Sequence, residues 1–207
     1  MPDWKIKPGY IERPMPEYCL DRPDGNLWQW DVYAKARELA IETGAKWFID
    51  LGCGSGEKSD MLVDGATKRY IGFDTGSNFE YCRSLPRRLR SEWRECDLES
   101  PEFAIPSEDA VIICADVIEH LINPAALLRR LADLIARVKG IILSTPDRDL
   151  THGIDHNGPP PNVGHVREWN LSEFRELLES FGLKPAMSHV PCRKGDDRRI
   201  TTMAVIA

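Results

Sequence analysis

The chain contains no apolar run approaching the ~20 residues that a helical membrane span needs, so none is expected. Its first residues, Met1-Pro2-Asp3-Trp4-Lys5, lack the apolar core of a signal peptide. It has no C-x-x-C pair; six cysteines lie scattered at positions 19, 53, 82, 96, 114 and 192. Cys53, Cys96 and Cys114 fall in or beside strand-like runs and read as small buried hydrophobes in a reducing compartment. Positive charge is not in excess either. The net charge of −6 argues against broad nucleic-acid binding through bulk electrostatics, though not against a local basic patch. These absences lead to the expectation of a soluble, cytoplasmic protein that works away from membranes.

What is present suits one sizeable domain: 207 residues, of which 42% are hydrophobic and 29% charged. The stretch that organises the chain is Phe48-Ile49-Asp50-Leu51-Gly52-Cys53-Gly54-Ser55-Gly56. An apolar, β-prone run ends in a carboxylate, and glycines follow at every second position. Glycine lets the backbone turn sharply and lets a ligand approach with no Cβ in the way. A dinucleotide fingerprint, G-x-G-x-x-G, puts its third glycine one place later. Here that place is Glu57, a poor companion for pyrophosphate but tolerable beside a cationic ligand. Asp50 through Gly56 resembles the first motif of the class I S-adenosylmethionine-dependent methyltransferases. The resemblance implies that Asp50, Gly52, Gly54 and Gly56 wrap the amino-acid end of that cofactor.

Around this motif the pattern alternates. Residues 1–27 carry five prolines and read as an extended N-terminal arm, with residues 28–207 forming a single domain. A helix from Trp28 to about Thr43 ends at Gly44, and arm and helix together are expected to form a lid. Strands are expected at 45–51, 69–74, 91–96, 110–115, 138–144, 184–190 and 200–206. Helices are expected at 57–63, 77–85, from the Asn123-Pro124 cap to Arg137, and from a Ser172 cap to Phe181. Arg193–Asp197 reads as a hairpin turn. The fold class is therefore α/β: a Rossmann-like, doubly wound, seven-stranded sheet whose last strand is antiparallel.

In such sheets ligands bind beyond the carboxyl ends of the strands, where strand order reverses. The second strand ends in Asp74-Thr75, an acid about 20 residues past the glycines that can accept from both ribose hydroxyls. The third ends in Asp97-Leu98; the resemblance implies an acid for the adenine amino group and an apolar cover for the ring. The fourth ends in Asp116-Val117-Ile118-Glu119-His120. Asp-x-x-Glu-His here resembles methyltransferases of small molecules and departs from the Asn/Asp-Pro-Pro-aromatic signature of DNA amino-methylases. Asp116 and His120 then fall where the sulfonium methyl meets the acceptor.

After the fifth strand comes a long segment, Thr145–Trp169, with three histidines and several carboxylates. A loop this long in a compact domain is usually functional or disordered. His156 or His165 can serve as general base for a hydroxyl acceptor, with Asp155 as orienting partner. The same residues also supply ligands for a divalent metal such as Mg²⁺: Asp116, Glu119, Asp147, Asp149, Asp155 and the histidines. Their spacing is not tight, so no residue is assigned as a ligand. His120 has two readings, catalytic and structural. Arg83, Arg87, Arg88, Arg90 and Arg94 read as a solvated face, or as a dock for a phosphorylated or carboxylated acceptor. The expected activity is methyl transfer from S-adenosylmethionine to a small hydroxylated acceptor, a sugar or saccharide first. An amine or carboxylate acceptor, a nicotinamide dehydrogenase and a non-catalytic cofactor-binding subunit are the rivals. A homodimer is compatible with the sequence.

Overall fold

The computed structural model describes residues 3–17, 28–62, 68–84 and 91–207. Helix α1 (Trp30–Thr43) precedes β1 (Trp47–Leu51), α2 (Ser59–Leu62), β2 (Arg69–Asp74), α3 (Gly76–Ser84) and β3 (Ser91–Glu95). There follow β4 (Ala110–Ala115), a 3-10 turn (Ile118–His120), α4 (Ala125–Ile135), β5 (Gly140–Pro146), α5 (Arg148–His152), α6 (Leu171–Ser180), β6 (Ala186–Arg193) and β7 (Asp196–Ile206).

The seven strands form one sheet in the order β3-β2-β1-β4-β5-β7-β6. Strands β1 to β5 pair in parallel; β7 runs antiparallel to both β5 and β6. The order reverses between β1 and β4, which places the expected ligand crevice above those two strands. β4 is buried along its whole length, as a central strand covered on both faces should be.

Side-chain alternation sends neighbours in β1 to opposite layers. Ile49 and Leu51 join a core with Leu127, Leu131, Phe174 and Leu177 from α4 and α6. Phe48 joins a second core with Val32, Ala36 and Ala40 of α1. The N-terminal arm belongs to the first of these cores through Trp4, whose backbone carbonyl accepts from Trp169 Nε1 at 2.8 Å. Three backbone bonds, from Ile11, Arg13 and Glu17 to Asn157, Val166 and Val163, lay the arm along the 145–169 segment.

The sequence reading locates these elements to within a few residues, with four differences. α1 begins at Trp30, because Trp28 is held in an isolated bridge to Arg193. The cap of α6 is Asn170 and not Ser172: its side chain accepts from Glu173 N while Glu173 reaches back, a complete capping box. The hairpin strands β6 and β7 extend further toward their turn than expected. The long segment after β5 holds α5, capped by Asp147, whose carboxylate accepts from Leu150 N. The expected helix end at Val63 and the expected stop after α3 lie outside the described residues.

Candidate functional site

β1 delivers the chain into a loop where Gly52, Gly54 and Gly56 have φ of 76, 57 and 70°, all left-handed values that favour glycine. Asp74 at the end of β2 ties that loop down. One carboxylate oxygen accepts from Gly54 N at 2.7 Å, the other from Thr75 N at 2.8 Å. Gly52, Gly54, Asp74, Thr75, Asp97 and Leu98 all line one open cavity of about 1840 Å³. That is well above the ~300–1,000 Å³ of ordinary ligand pockets and leaves room for two ligands side by side.

Two expected cofactor residues are placed elsewhere. Gly56 is buried and is not part of the cavity lining; a Cβ there would collide with Trp93 Nε1, so its glycine serves packing. Asp50 is fully buried beneath the loop. Its Oδ2 accepts from Tyr33 Oη at 2.8 Å and Tyr70 Oη at 2.7 Å, so the acid braces α1 and β2 against β1. Burial pushes its carboxyl up to about 6, and the tyrosine hydroxyls pull the other way. The sequence reading missed Lys58, which lines the cavity and stacks over Tyr33 at 5.4 Å.

Beyond β4, Asp116 adopts a left-handed φ of 52°, an uncommon conformation for a non-glycine residue. Its carboxylate accepts from Gln29 Nε2 at 3.0 Å and from Ser144 Oγ at 2.6 Å. The following turn presents Glu119 and His120. Among the described residues neither buried oxygen of Glu119 has a partner at full hydrogen-bond geometry, although its own backbone N–H and the Thr145 side chain lie near enough to pull the carboxyl down. Burial pushes that carboxyl well above the carboxylate range, and Asp116 adds to the shift. His120 packs edge-on against His165, ring centres 4.7 Å apart, and burial lowers it to about 4, so the imidazole is neutral at pH 7. One ligand atom from each of Glu119, His120 and His165 lies within 4.8 Å of the others.

His165 Nδ1 contacts Glu168 Oε1 at 2.5 Å, and Asn162 Nδ2 lies 2.8 Å from its Nε2. The second oxygen of Glu168 lies 3.0 Å from His152 Nε2. An acid beside Nδ1 keeps the proton there and leaves the Nε2 lone pair as acceptor. Glu168, not Asp155, is therefore the orienting acid; it stands three residues after His165, a spacing visible in His-Val-Arg-Glu-Trp. Asp155 is exposed, and neither it nor His156 lines the cavity. His156 instead lies against the His152 ring, with centres 5.0 Å apart.

The acids offered for a metal also thin out. Asp147 Oδ2 takes contacts from His189 Nε2, Thr202 Oγ1 and Leu171 N. Asp149 takes Arg148 and Asn170. Of the acids offered from the sequence as metal ligands, Asp116 and Glu119 line the cavity and Asp147, Asp149 and Asp155 do not. Arg83 and Arg94 lie 3.6 and 2.5 Å from Glu80 and Glu92 and are absent from the lining; Arg87, Arg88 and Arg90 lie outside the described residues.

Residues 31–186 match the family described as "Methyltransferase domain". A probable S-adenosylmethionine-dependent methyltransferase of Mycolicibacterium smegmatis is 29% identical over 164 residues, 77% of this chain and 60% of that protein. A ubiquinone biosynthesis O-methyltransferase of Stutzerimonas stutzeri is 26% identical over 53% of this chain and 48% of its own length. The chain thus spans about 60% or less of these relatives. Among solved structures, the methyltransferase domain of bacterial CtHen1 superposes with a TM-score of 0.64 at 24% identity, covering 84% of this chain and 95% of that one. The N-terminal domain of EvdMO1, determined with S-adenosylhomocysteine and D-fucose, gives 0.58 at 19% identity over 85% and 82% of the two chains. Glycine loop, strand-end acids, sheet order and family match converge: the chain belongs to the methyltransferase-domain family and has the fold of the class I S-adenosylmethionine-dependent methyltransferases.

Proposed function

We propose that the chain binds S-adenosylmethionine beside the glycine loop and transfers its methyl group to a hydroxyl of a small acceptor, a sugar or saccharide first. The residues present fit the cofactor. Gly52 and Gly54 offer bare backbone at the cavity wall, and Asp74 and Asp97 stand at the ends of adjacent strands. Asp74 Oδ2 accepts from Gly54 N, and Oδ1 accepts from Thr75 N and, at 3.4 Å, from Asn78 Nδ2, which fixes the carboxylate at the cavity wall where a ribose would lie. Asp116 puts a carboxylate on the cavity wall, on the side where a sulfonium would sit. The cofactor supplies an activated methyl group; the protein supplies approach geometry and exclusion of water.

The observation that carries a hydroxyl acceptor is the Glu168–His165 pair. A hydroxyl must lose its proton to accept a methyl group, and His165 Nε2 is held as a proton acceptor. Asn162 now places an N–H donor against that nitrogen, the position an acceptor O–H would take. The O-methyltransferase among the relatives and the structural neighbour determined in the presence of D-fucose support the choice of a sugar hydroxyl over an amine.

A second reading gives His165 to a divalent cation with Glu119 and His120. It is favoured by the buried oxygens of Glu119, which lack a partner at full hydrogen-bond geometry among the described residues and which a cation would satisfy. Such an ion would supply Lewis acidity toward the acceptor oxygen. Both readings go with a reducing, cytoplasmic setting, which the buried, unbridged thiols of Cys53, Cys82, Cys96, Cys114 and Cys192 support.

Transfer of labelled methyl to a panel of saccharides, amines and carboxylates, with and without EDTA, tests this. Hydroxyl methylation that survives EDTA and falls in His165→Gln supports the base; loss with EDTA and recovery with Mg²⁺ or Mn²⁺ supports the metal. Methylation confined to amines or carboxylates contradicts the acceptor class.

A further inference from the structure

We propose that the acceptor carries a phosphate group, held by Arg193 and Arg199 on the β6–β7 side of the cavity. This rests on the small-acceptor reading above and names its class. The cavity does not end at the histidines: Trp28, Arg193, Asp196, Arg198, Arg199 and Ile200 continue its lining. In a chain of net charge −6, three arginines on one cavity wall are a local reversal of sign.

They are not equivalent. Arg198 is occupied by Asp196, with contacts of 2.8 and 2.9 Å. Arg193 and Arg199 have no hydrogen bond or ion pair from their guanidinium groups among the described residues, and Arg193 Nε is a buried donor with no partner. Both stack on Trp28, at 5.7 and 5.9 Å from its ring. Stacking fixes a guanidinium through its face and leaves its N–H edge unspent. Trp28 is itself fixed by its bridge to Arg193 and by the neighbouring bond from Gln29 N to Cys192 O at 2.9 Å. The same Gln29 side chain reaches Asp116, so one turn of chain links the basic wall to the reacting end of the cavity.

Two preset guanidinium forks suit an anion with three terminal oxygens. A carboxylate, with two oxygens, saturates one fork and leaves the other unmatched. The size of the cavity allows the cofactor, a sugar-sized body and a terminal phosphate to lie in sequence.

The test uses the full chain saturated with S-adenosylhomocysteine. Inorganic phosphate is titrated while the arginine Nε resonances are followed by NMR, with acetate as the carboxylate control. The proposal expects phosphate to shift Arg193 and Arg199 and to bind at least tenfold tighter than acetate. Arg193→Gln/Arg199→Gln should weaken phosphate at least tenfold with S-adenosylhomocysteine affinity unchanged, and the double Lys variant should recover part of the loss. Equal binding of acetate, or phosphate affinity unaltered in the Gln variant, overturns it. Glucose 6-phosphate and a ribo-oligonucleotide then compete with phosphate. Displacement by the sugar phosphate supports the small acceptor, and displacement by the oligonucleotide alone overturns it. Binding is read without turnover, so failure to methylate any hydroxyl would count against the proposed reaction and not against this site.

Discussion

Asp50 shows how one residue of the signature motif serves the fold beneath the ligand. It is fully buried and takes two tyrosine hydroxyls, and burial pushes its carboxyl up to about 6. Between about pH 4 and 6 the folded chain keeps a proton on Asp50 that the unfolded chain has released. Stability from this group is therefore full below pH 4, falls as pH rises to 6, and is level above. His120, lowered to about 4, has the opposite slope: its contribution is full above about pH 6.5 and is lost as pH falls toward 4. The difference between wild type and Asp50→Asn isolates the first effect. Urea midpoints should show the variant gaining on wild type by about 2–3 kcal/mol between pH 4 and pH 7. A gap that does not change with pH contradicts the assignment. Glu168 is the second residue whose role emerges only from contacts. Glu168→Gln keeps the shape and loses the charge beside His165, so methyl transfer, or metal affinity if that reading holds, should drop about 10–100-fold. Calorimetry with S-adenosylhomocysteine should show no change.

At the scale of elements, the arm and the 145–169 segment form one unit. Arg167 is buried and lies between Trp4 and Trp169, at 5.0 and 5.9 Å from their rings. It also holds Glu12 at 2.8 Å and donates to the carbonyls of Leu121 and Ile122. Tyr10 Oη accepts from Glu168 N at 3.1 Å, so the arm touches the residue that orients His165. Trp4→Ala removes a core side chain and should cost about 3–5 kcal/mol in denaturant unfolding. It should also broaden the His165 ring resonances, because the arm no longer clamps its loop. A loss under 1 kcal/mol would show the arm to be a passive tail. The expectation of a lid came from position alone. The structure attaches the described part of the arm to the 145–169 segment, while Trp28 and Gln29 just before α1 reach the cavity.

Across the whole molecule, what was legible in the sequence follows from physics that is local. β2 and β4 are found at their expected bounds because apolar runs bounded by turn residues have few other solutions. The glycine loop and Asp74 were legible because their spacing is set by one βαβ unit. Less legible were pairings between distant segments. Asp147 looks like a cavity acid in sequence, yet it closes α5 and takes contacts from β6 and β7. Asp155 looks like a partner for histidine, yet α5 and its turn leave it exposed. In sequence Arg193 belongs to a polar hairpin turn and nothing singles out Arg199, because only the antiparallel return of β7 carries Arg199 to the cavity that the first glycines open.

All of this depends on a cavity shaped for a cationic methyl donor at the β1–β4 crevice. Calorimetric titration of the purified chain with S-adenosylhomocysteine, and in parallel with NADH, tests it most directly. The account predicts one equivalent of S-adenosylhomocysteine bound, at least tenfold weaker in Asp74→Ala, and no heat from NADH. Tight NADH binding with none of S-adenosylhomocysteine, or an affinity indifferent to Asp74, would contradict it.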